Sequence, residues 1–146
     1  MRKIEELVNL FKSRELKITP QRLGIFKILE GNTSHPSAEN IFHEIRHIYP
    51  MISFTTVYKT LEVLESLGEI LKITIDGTRK YYDPNTTPHH HTICSRCNMI
   101  ADVNEEFDMP RLPGEILDKF TPSNYHISFY GNCRECFGEV KDVSTI

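Results

Sequence analysis

The sequence predicts an α+β protein of two domains, and three observations carry that expectation. Apolar residues recur at helical spacing in short stretches between residues 4 and 67. Two strand-like runs follow, residues 70–75 (ILKITI) and 78–83 (TRKYYD), separated by Asp76-Gly77, a pair that tolerates the positive φ angles of a two-residue hairpin turn. Beyond them PNTTP has the composition of a linker, and the remaining segment carries two C-x-x-C turns. A helical cluster closed by a hairpin suggests a winged helix-turn-helix, with the fourth helix entering the major groove of DNA. The domains predicted are 1–83, a winged-helix DNA-binding domain; 84–88, a hinge linker; and 89–146, a small α/β module.

Ile4, Leu7, Val8 and Phe11 mark one amphipathic helix ending near Ser13. Thr19 caps a second, with Pro20 in the first turn where its missing N–H costs nothing; it runs through Leu23, Phe26, Ile28 and Leu29 to a stop at Gly31. Ser37 caps a third, whose Ile41, Phe42, Ile45 and Ile48 face inward before Pro50 ends it. Ser53 caps a fourth, with Val57, Leu61, Leu64 and Leu67 inward and Gly68 at its C-terminal stop. In the second module residues 90–94 and 99–103 read as strands, 113–120 as a short helix and 125–130 as a third strand. A core that small needs a metal or a partner subunit to stabilise it.

Composition is that of an ordinary globular chain: 146 residues, 39% hydrophobic and 25% charged. The net charge of -3 hides an asymmetry, with 12 Lys/Arg against 11 Asp/Glu in residues 1–83 and 5 against 9 in residues 84–146. Nucleic-acid binding by the first half therefore depends on where its basic side chains sit, since no global positive field is available. No run of 18 apolar residues exists, and Glu5, Glu6 and Asn9 interrupt what would be the core of a signal peptide. A cytoplasmic location without membrane association is the expectation. Thiols stay reduced there, so the four cysteines read as metal ligands rather than disulfides.

Structural zinc takes four thiolate or imidazole ligands in a tetrahedron, and each C-x-x-C turn supplies two sulfurs to one ion. Cys94, Cys97, Cys133 and Cys136 fit that pattern, with 35 residues between the two turns; the bland alternatives are a redox pair or buried thiols. Four thiolates leave no open position for substrate, which argues for structure and against catalysis. His89 and His91 share one strand face while His90 shares the other with Cys94, so the odd-numbered pair can form a second metal site and His90 is expected to be solvent-exposed. His35, Asp83 and Asp102 are further candidates, although spacing alone does not show that they converge. Such imidazole and carboxylate donors suit manganese or iron, and zinc would also bind.

Five strings are specific enough to carry a resemblance: Ile18-Thr19-Pro20-Gln21-Arg22, His35-Pro36-Ser37-Ala38, Thr56-Val57-Tyr58-Lys59-Thr60-Leu61, His89-His90-His91-Thr92-Ile93-Cys94 and Tyr130-Gly131-Asn132-Cys133. In this order they span nearly the whole chain, which resembles the ferric uptake regulator family. The resemblance implies a homodimeric repressor with an N-terminal winged helix, a C-terminal dimerisation domain, a structural Zn2+ on the four cysteines and a regulatory Fe2+ or Mn2+ at the hinge. The regulatory ligands it implies are His35, Asp83, His89, His91 and Asp102. Peroxide-sensing members look most similar, since they place aspartate where Asp83 and Asp102 stand and iron sensors more often place glutamate. Iron sensors also commonly have a histidine eight positions before the third cysteine, for an additional site; here Tyr125 fills that position and His126 is one step out of register.

The function expected is a metal-dependent repressor of palindromic double-stranded operator DNA that releases it when hydrogen peroxide oxidises a ligand histidine, His35 or His89. An iron-, manganese- or zinc-responsive repressor without peroxide sensing is the alternative. Arg22, Thr55, Thr56, Tyr58 and Lys59 are the expected DNA contacts, from the start of the second helix and the first turns of the fourth. A metal-dependent hydrolase would need a general base and a substrate pocket, and the sequence offers no evident nucleophile constellation. A zinc-stabilised interaction module would leave the helices and hairpin unexplained. No catalytic residue is assigned.

Overall fold

The computed structural model describes residues 1–137, so residues 138–146 of the predicted second domain lie outside the described residues. The chain forms two compact units that divide between Thr87 and Pro88.

The first unit begins with α1 (Ile4–Ser13) and α2 (Pro20–Leu29). Thr19 Oγ1 accepts from Arg22 N at 3.2 Å, and Pro20 occupies the first turn of α2. α3 (Ala38–Arg46) opens with a reciprocal capping box: Asn40 N donates to Ser37 Oγ at 3.2 Å, and Ser37 N to Asn40 Oδ1 at 3.0 Å. α4 (Phe54–Ser66) is capped by Ser53, whose Oγ accepts from Thr56 N at 3.1 Å. These caps satisfy backbone N–H groups that a helix start leaves without intrahelical partners.

Phe11, Phe26, Ile41, Ile45, Leu61 and Leu64 interlock at the centre of the unit, all fully buried, with Phe11 edge-on to Phe26 at 5.1 Å between centroids. Ile48, expected on the inward face of α3, is instead 62% exposed, because the helix stops at Arg46 and the chain turns before completing that face. Arg2 meets the buried Glu69 carboxylate just past α4, its backbone N donating to Oε2 at 2.8 Å and its guanidinium bonding Oε1. Burying this carboxylate without such a partner would be costly.

The wing is a hairpin of β1 (Leu71–Ile75) and β2 (Arg79–Asp83), antiparallel, with Leu71 opposite Asp83. Asp76 and Gly77 take φ values of 53° and 70°, the left-handed conformation expected of this pair. The ladder closes at Ile75–Arg79, however, so Thr78 joins them in a three-residue loop. A bridge between Ser37 and Tyr81, and Tyr82 N donating to Pro36 O at 3.0 Å, tie the wing to the start of α3.

In the second unit β3 (His90–Cys94) is the central strand, antiparallel to β4 (Ile100–Val103) and parallel to β5 (Ser128–Gly131). α5 (Gly114–Leu117) and α6 (Arg134–Phe137) are single turns. The helix expected over residues 113–120 shrinks to α5 because Ile116, Leu117 and Phe120 are exposed, and a short helix without packing on its apolar face does not propagate. Strand pairing begins at Ser128 rather than at residue 125. No helix among the described residues is long and apolar enough to cross a membrane.

Phe26→Ala should cost about 3–5 kcal/mol, as a large buried aromatic leaves a cavity. Urea unfolding followed by helical circular dichroism should show the midpoint falling with an unchanged slope; a midpoint equal to wild type would contradict the packing described.

Candidate metal centres

The first centre is built where β3 ends and α6 begins. Cys94 is the last residue of β3, Cys97 lies in the turn towards β4, and Cys133 and Cys136 flank the start of α6. Their sulfur atoms all lie within 4.8 Å of one another. Cys97 Sγ and Cys133 Sγ are 3.7 Å apart, far beyond the roughly 2.05 Å of a disulfide and close to the edge of a tetrahedron with Zn–S bonds of about 2.3 Å, which is about 3.8 Å.

Backbone amides prepare the cluster for negative charge. Cys133 N donates to Cys94 Sγ at 3.3 Å and Cys136 N to Cys133 Sγ at 3.5 Å. Amides of Cys97, Cys133 and Arg96 together hold the Cys94 thiol down to about 6. Cys136 is pushed up to about 12, chiefly by its hydrogen bond with Cys133 and then by burial. Without an ion, then, Cys94 and Cys136 do not ionise alike; a dication permits both to be thiolates. Arg96 Nη1 donates to Cys136 O at 3.0 Å, pinning one C-x-x-C turn to the other. The donor set and spacing fit a closed structural zinc site.

The second unit also holds a nitrogen and oxygen cluster. His91 stands opposite Asp102 in the β3–β4 ladder. His89, just before β3, turns its Nε2 to within 2.9 Å of His91 Nε2 and 3.3 Å of Asp102 Oδ1, while His91 Nε2 is 3.6 Å from that oxygen. Both imidazoles are buried. Two imidazole nitrogens and a carboxylate sharing one point form a donor set for a borderline divalent ion.

The first unit holds a complementary pair. His35 Nε2 lies 3.6 Å from Asp83 Oδ2, with both side chains only 1% exposed. His35 has φ 50°, a left-handed conformation uncommon outside glycine, and the β2 contacts of Pro36 and Ser37 hold it there. Asp83 ends β2 and also accepts from Asn85 N at 2.7 Å. A histidine and aspartate fit the same class of ion.

His90 is buried, not exposed as expected, at 6%. Its ring packs against Phe107 and Tyr125, and its Nδ1 accepts from Ile127 N at 3.2 Å. The sequence reading also missed the contact of His126 with His91, Nε2 to Nδ1 at 2.8 Å. Burial first, then the neighbouring His91, His90 and His89, lowers the His126 pKa below its ordinary value. Only the parallel pairing of β5 with β3, which local periodicity does not encode, brings these residues together.

The predicted DNA contacts fall in two places. Thr55 and Lys59 are exposed one turn apart on α4, whereas Thr56 is half-buried with Oγ1 2.9 Å from Ser53 Oγ. Tyr58 is half-buried, its ring 5.8 Å from that of Phe54 and 5.4 Å from Lys80 Nζ on the wing. Arg22, at the start of α2, donates from Nη1 to Lys17 O at 2.5 Å.

Cys133→Ser should lower zinc from about one equivalent per chain to near zero and reduce the melting temperature. Inductively coupled plasma analysis after dialysis reads the first effect; full retention of zinc would contradict the four-sulfur site.

The Ferric uptake regulator family is matched over residues 13–130. The peroxide-responsive repressor PerR of Staphylococcus epidermidis (strain ATCC 12228 / FDA PCI 1200) is 30% identical over 134 residues, which cover 91% of this chain and 89% of that protein. Among solved structures, the Helicobacter pylori ferric uptake regulator Fur has a similar fold, with TM-score 0.74, 22% identity and coverage of 98% of this chain and 97% of that one. The Campylobacter jejuni peroxide stress regulator superposes with TM-score 0.62 at 29% identity, over 89% of this chain and 98% of that one. The chain therefore belongs to the Ferric uptake regulator family, whose members are transcriptional regulators and not enzymes.

Proposed function

We propose that this metalloregulator is a homodimeric repressor of palindromic operator DNA, activated by Fe2+ or Mn2+ and released by hydrogen peroxide. The observation that carries the reading is that each unit gathers histidine and aspartate donors next to the segment joining them: His35 with Asp83, and His89 with His91 and Asp102. One ion taking all five as ligands would fix the domains 1–83 and 89–146 relative to each other through the hinge 84–88. To move a two-state equilibrium from 1:99 to 99:1, it must favour the competent form about ten-thousand-fold.

Dimerisation through the second domain is supported by its surface. Ile93, Cys94 and Ile100 are its buried apolar side chains among the described residues, while Phe107, Phe120, Phe129 and Tyr130 are exposed. A two-fold dimer would present two copies of α4 to successive major-groove faces of a palindrome. Thr55, Thr56 and Tyr58 would read base edges there, and Lys59 and Arg22 would meet phosphates.

Two observations favour peroxide sensing: aspartates fill both carboxylate positions, and relatives named as peroxide-responsive repressors match along most of the chain. Bound ferrous iron supplies the one-electron chemistry that activates peroxide. Net, one peroxide is reduced to water as a ring C–H of His35 or His89 becomes C–OH. The modified imidazole is a poorer ligand, the donor set loses a member, and the DNA-competent form is no longer favoured.

In gel-shift titrations, Mn2+-loaded protein should hold its operator through peroxide treatment, while Fe2+-loaded protein should release it and gain one oxygen on a peptide containing His35 or His89. Equal retention with both metals and no adduct would instead indicate a metal sensor without peroxide chemistry; no metal dependence at all would remove the regulatory reading. Tyr58→Ala should weaken operator binding roughly tenfold or more with metal content unchanged. Lys59→Ala should weaken all sequences alike and reduce the salt slope by about one. Unchanged affinity in Tyr58→Ala would exclude that side chain from the interface.

A further inference from the structure

His126 reaches His91 from the extended segment that enters β5. Its Nε2 lies 2.8 Å from His91 Nδ1, and Ser128 Oγ stands 3.5 Å from its other nitrogen. His91 Nε2 meanwhile faces His89 Nε2 at 2.9 Å and Asp102 Oδ1 at 3.6 Å. The two nitrogens of one imidazole therefore have separate partners, the donor cluster on one side and His126 on the other. A neutral imidazole carries a single N–H, and a metal at Nε2 requires that proton to sit on Nδ1. His126 Nε2 is placed to accept it.

Strand register creates this contact. His91 N donates to Ile127 O at 3.1 Å as the parallel pairing begins, and His91 pairs with Ser128. Neighbouring residues of an extended segment face opposite sides: Tyr125 packs its ring 5.4 Å from that of His90 and Ile127 N bonds His90 Nδ1, whereas His126 turns to His91. A one-residue slip would put the tyrosine where the imidazole is needed.

We infer that His126 is a positioning residue for the regulatory metal: by accepting a hydrogen bond from His91 Nδ1–H it fixes the tautomer and ring orientation in which His91 Nε2 is a ligand. The inference rests on the regulatory reading of His91 given above. Partners of this kind typically change metal affinity by about 10–100-fold. His126 is otherwise exposed, so its side chain can be replaced without opening the core.

The test titrates full-length, zinc-loaded protein with Mn2+ in wild type, His126→Leu, His126→Gln and His91→Ala. His126→Leu should bind Mn2+ about 10–100-fold more weakly with its cysteine-bound zinc unchanged, and His126→Gln, whose side-chain carbonyl can replace Nε2 as acceptor, should recover most of the affinity. With diamagnetic Zn2+ filling the regulatory site of 15N-labelled protein, the His91 Nδ1–H resonance should persist in wild type and vanish by solvent exchange in His126→Leu. Wild-type affinity with a retained resonance in His126→Leu, or a glutamine variant as weak as the leucine one, overturns the positioning role. Mn2+ binding untouched by His91→Ala overturns the regulatory reading itself, whereas loss in His91→Ala beside a normal His126→Leu removes the positioning role alone.

Discussion

The register of β3 decides where both donor clusters of the second unit fall. Its antiparallel pairing sets Asp102 opposite His91, and its parallel pairing draws Ser128 to His91 and Gly131 to Cys94. Ser95 N then donates to Gly131 O at 2.7 Å, which carries the chain to Cys133, whose N–H bonds Cys94 Sγ. Because side chains alternate with a period of two, a single-residue slip on either side would send an aspartate or histidine to the opposite face. The backbone ladder thus acts on chemistry through which side chains it makes neighbours, and the chemistry in turn holds the ladder, since each cluster draws donors from more than one element.

That coupling matters because the second unit has so little else. Ile93 and Ile100 are buried, but much of its larger apolar surface is exposed, and a core of this size offsets little of the conformational entropy lost on folding. Ion binding to a site absent from the unfolded chain is itself folding free energy. The winged-helix unit is the opposite case: aromatic and aliphatic residues from four helices fill its centre, and side-chain caps close three helix starts. Its centre is held by apolar packing and helix caps, and His35 and Asp83 lie outside that apolar core.

This difference also explains what the sequence made legible. Thr19, Ser37 and Ser53 announce helix starts through local hydrogen bonds, and Asp76-Gly77 announces a turn through its φ preference; both effects act within a few residues and survive in the fold. The two C-x-x-C turns are equally local. Local reading fails where a distant partner decides: Ile48 lies outside because α3 ends early, His90 is buried because Phe107 and Tyr125 pack on it, and the helix expected over 113–120 is reduced for want of a packed face. His126 was visible only as a residue out of register with a motif, because its importance depends on β5 lying parallel to β3.

Two clusters of different donor type on one strand resolve a conflict inherent in a metal-responsive fold. A sensing site must be able to lose its ion, or a ligand, without the domain dissolving, while a small domain needs an ion that does not leave. Thiolates retain a soft or borderline ion strongly, and imidazole with carboxylate holds a divalent ion more exchangeably. Cys94 and His91 are three residues apart on β3, yet the sulfur cluster closes towards α6 and the histidines towards β4. Sharing one strand, the two clusters use separate donors, so exchange at the nitrogen and oxygen donors removes no ligand from the sulfur site.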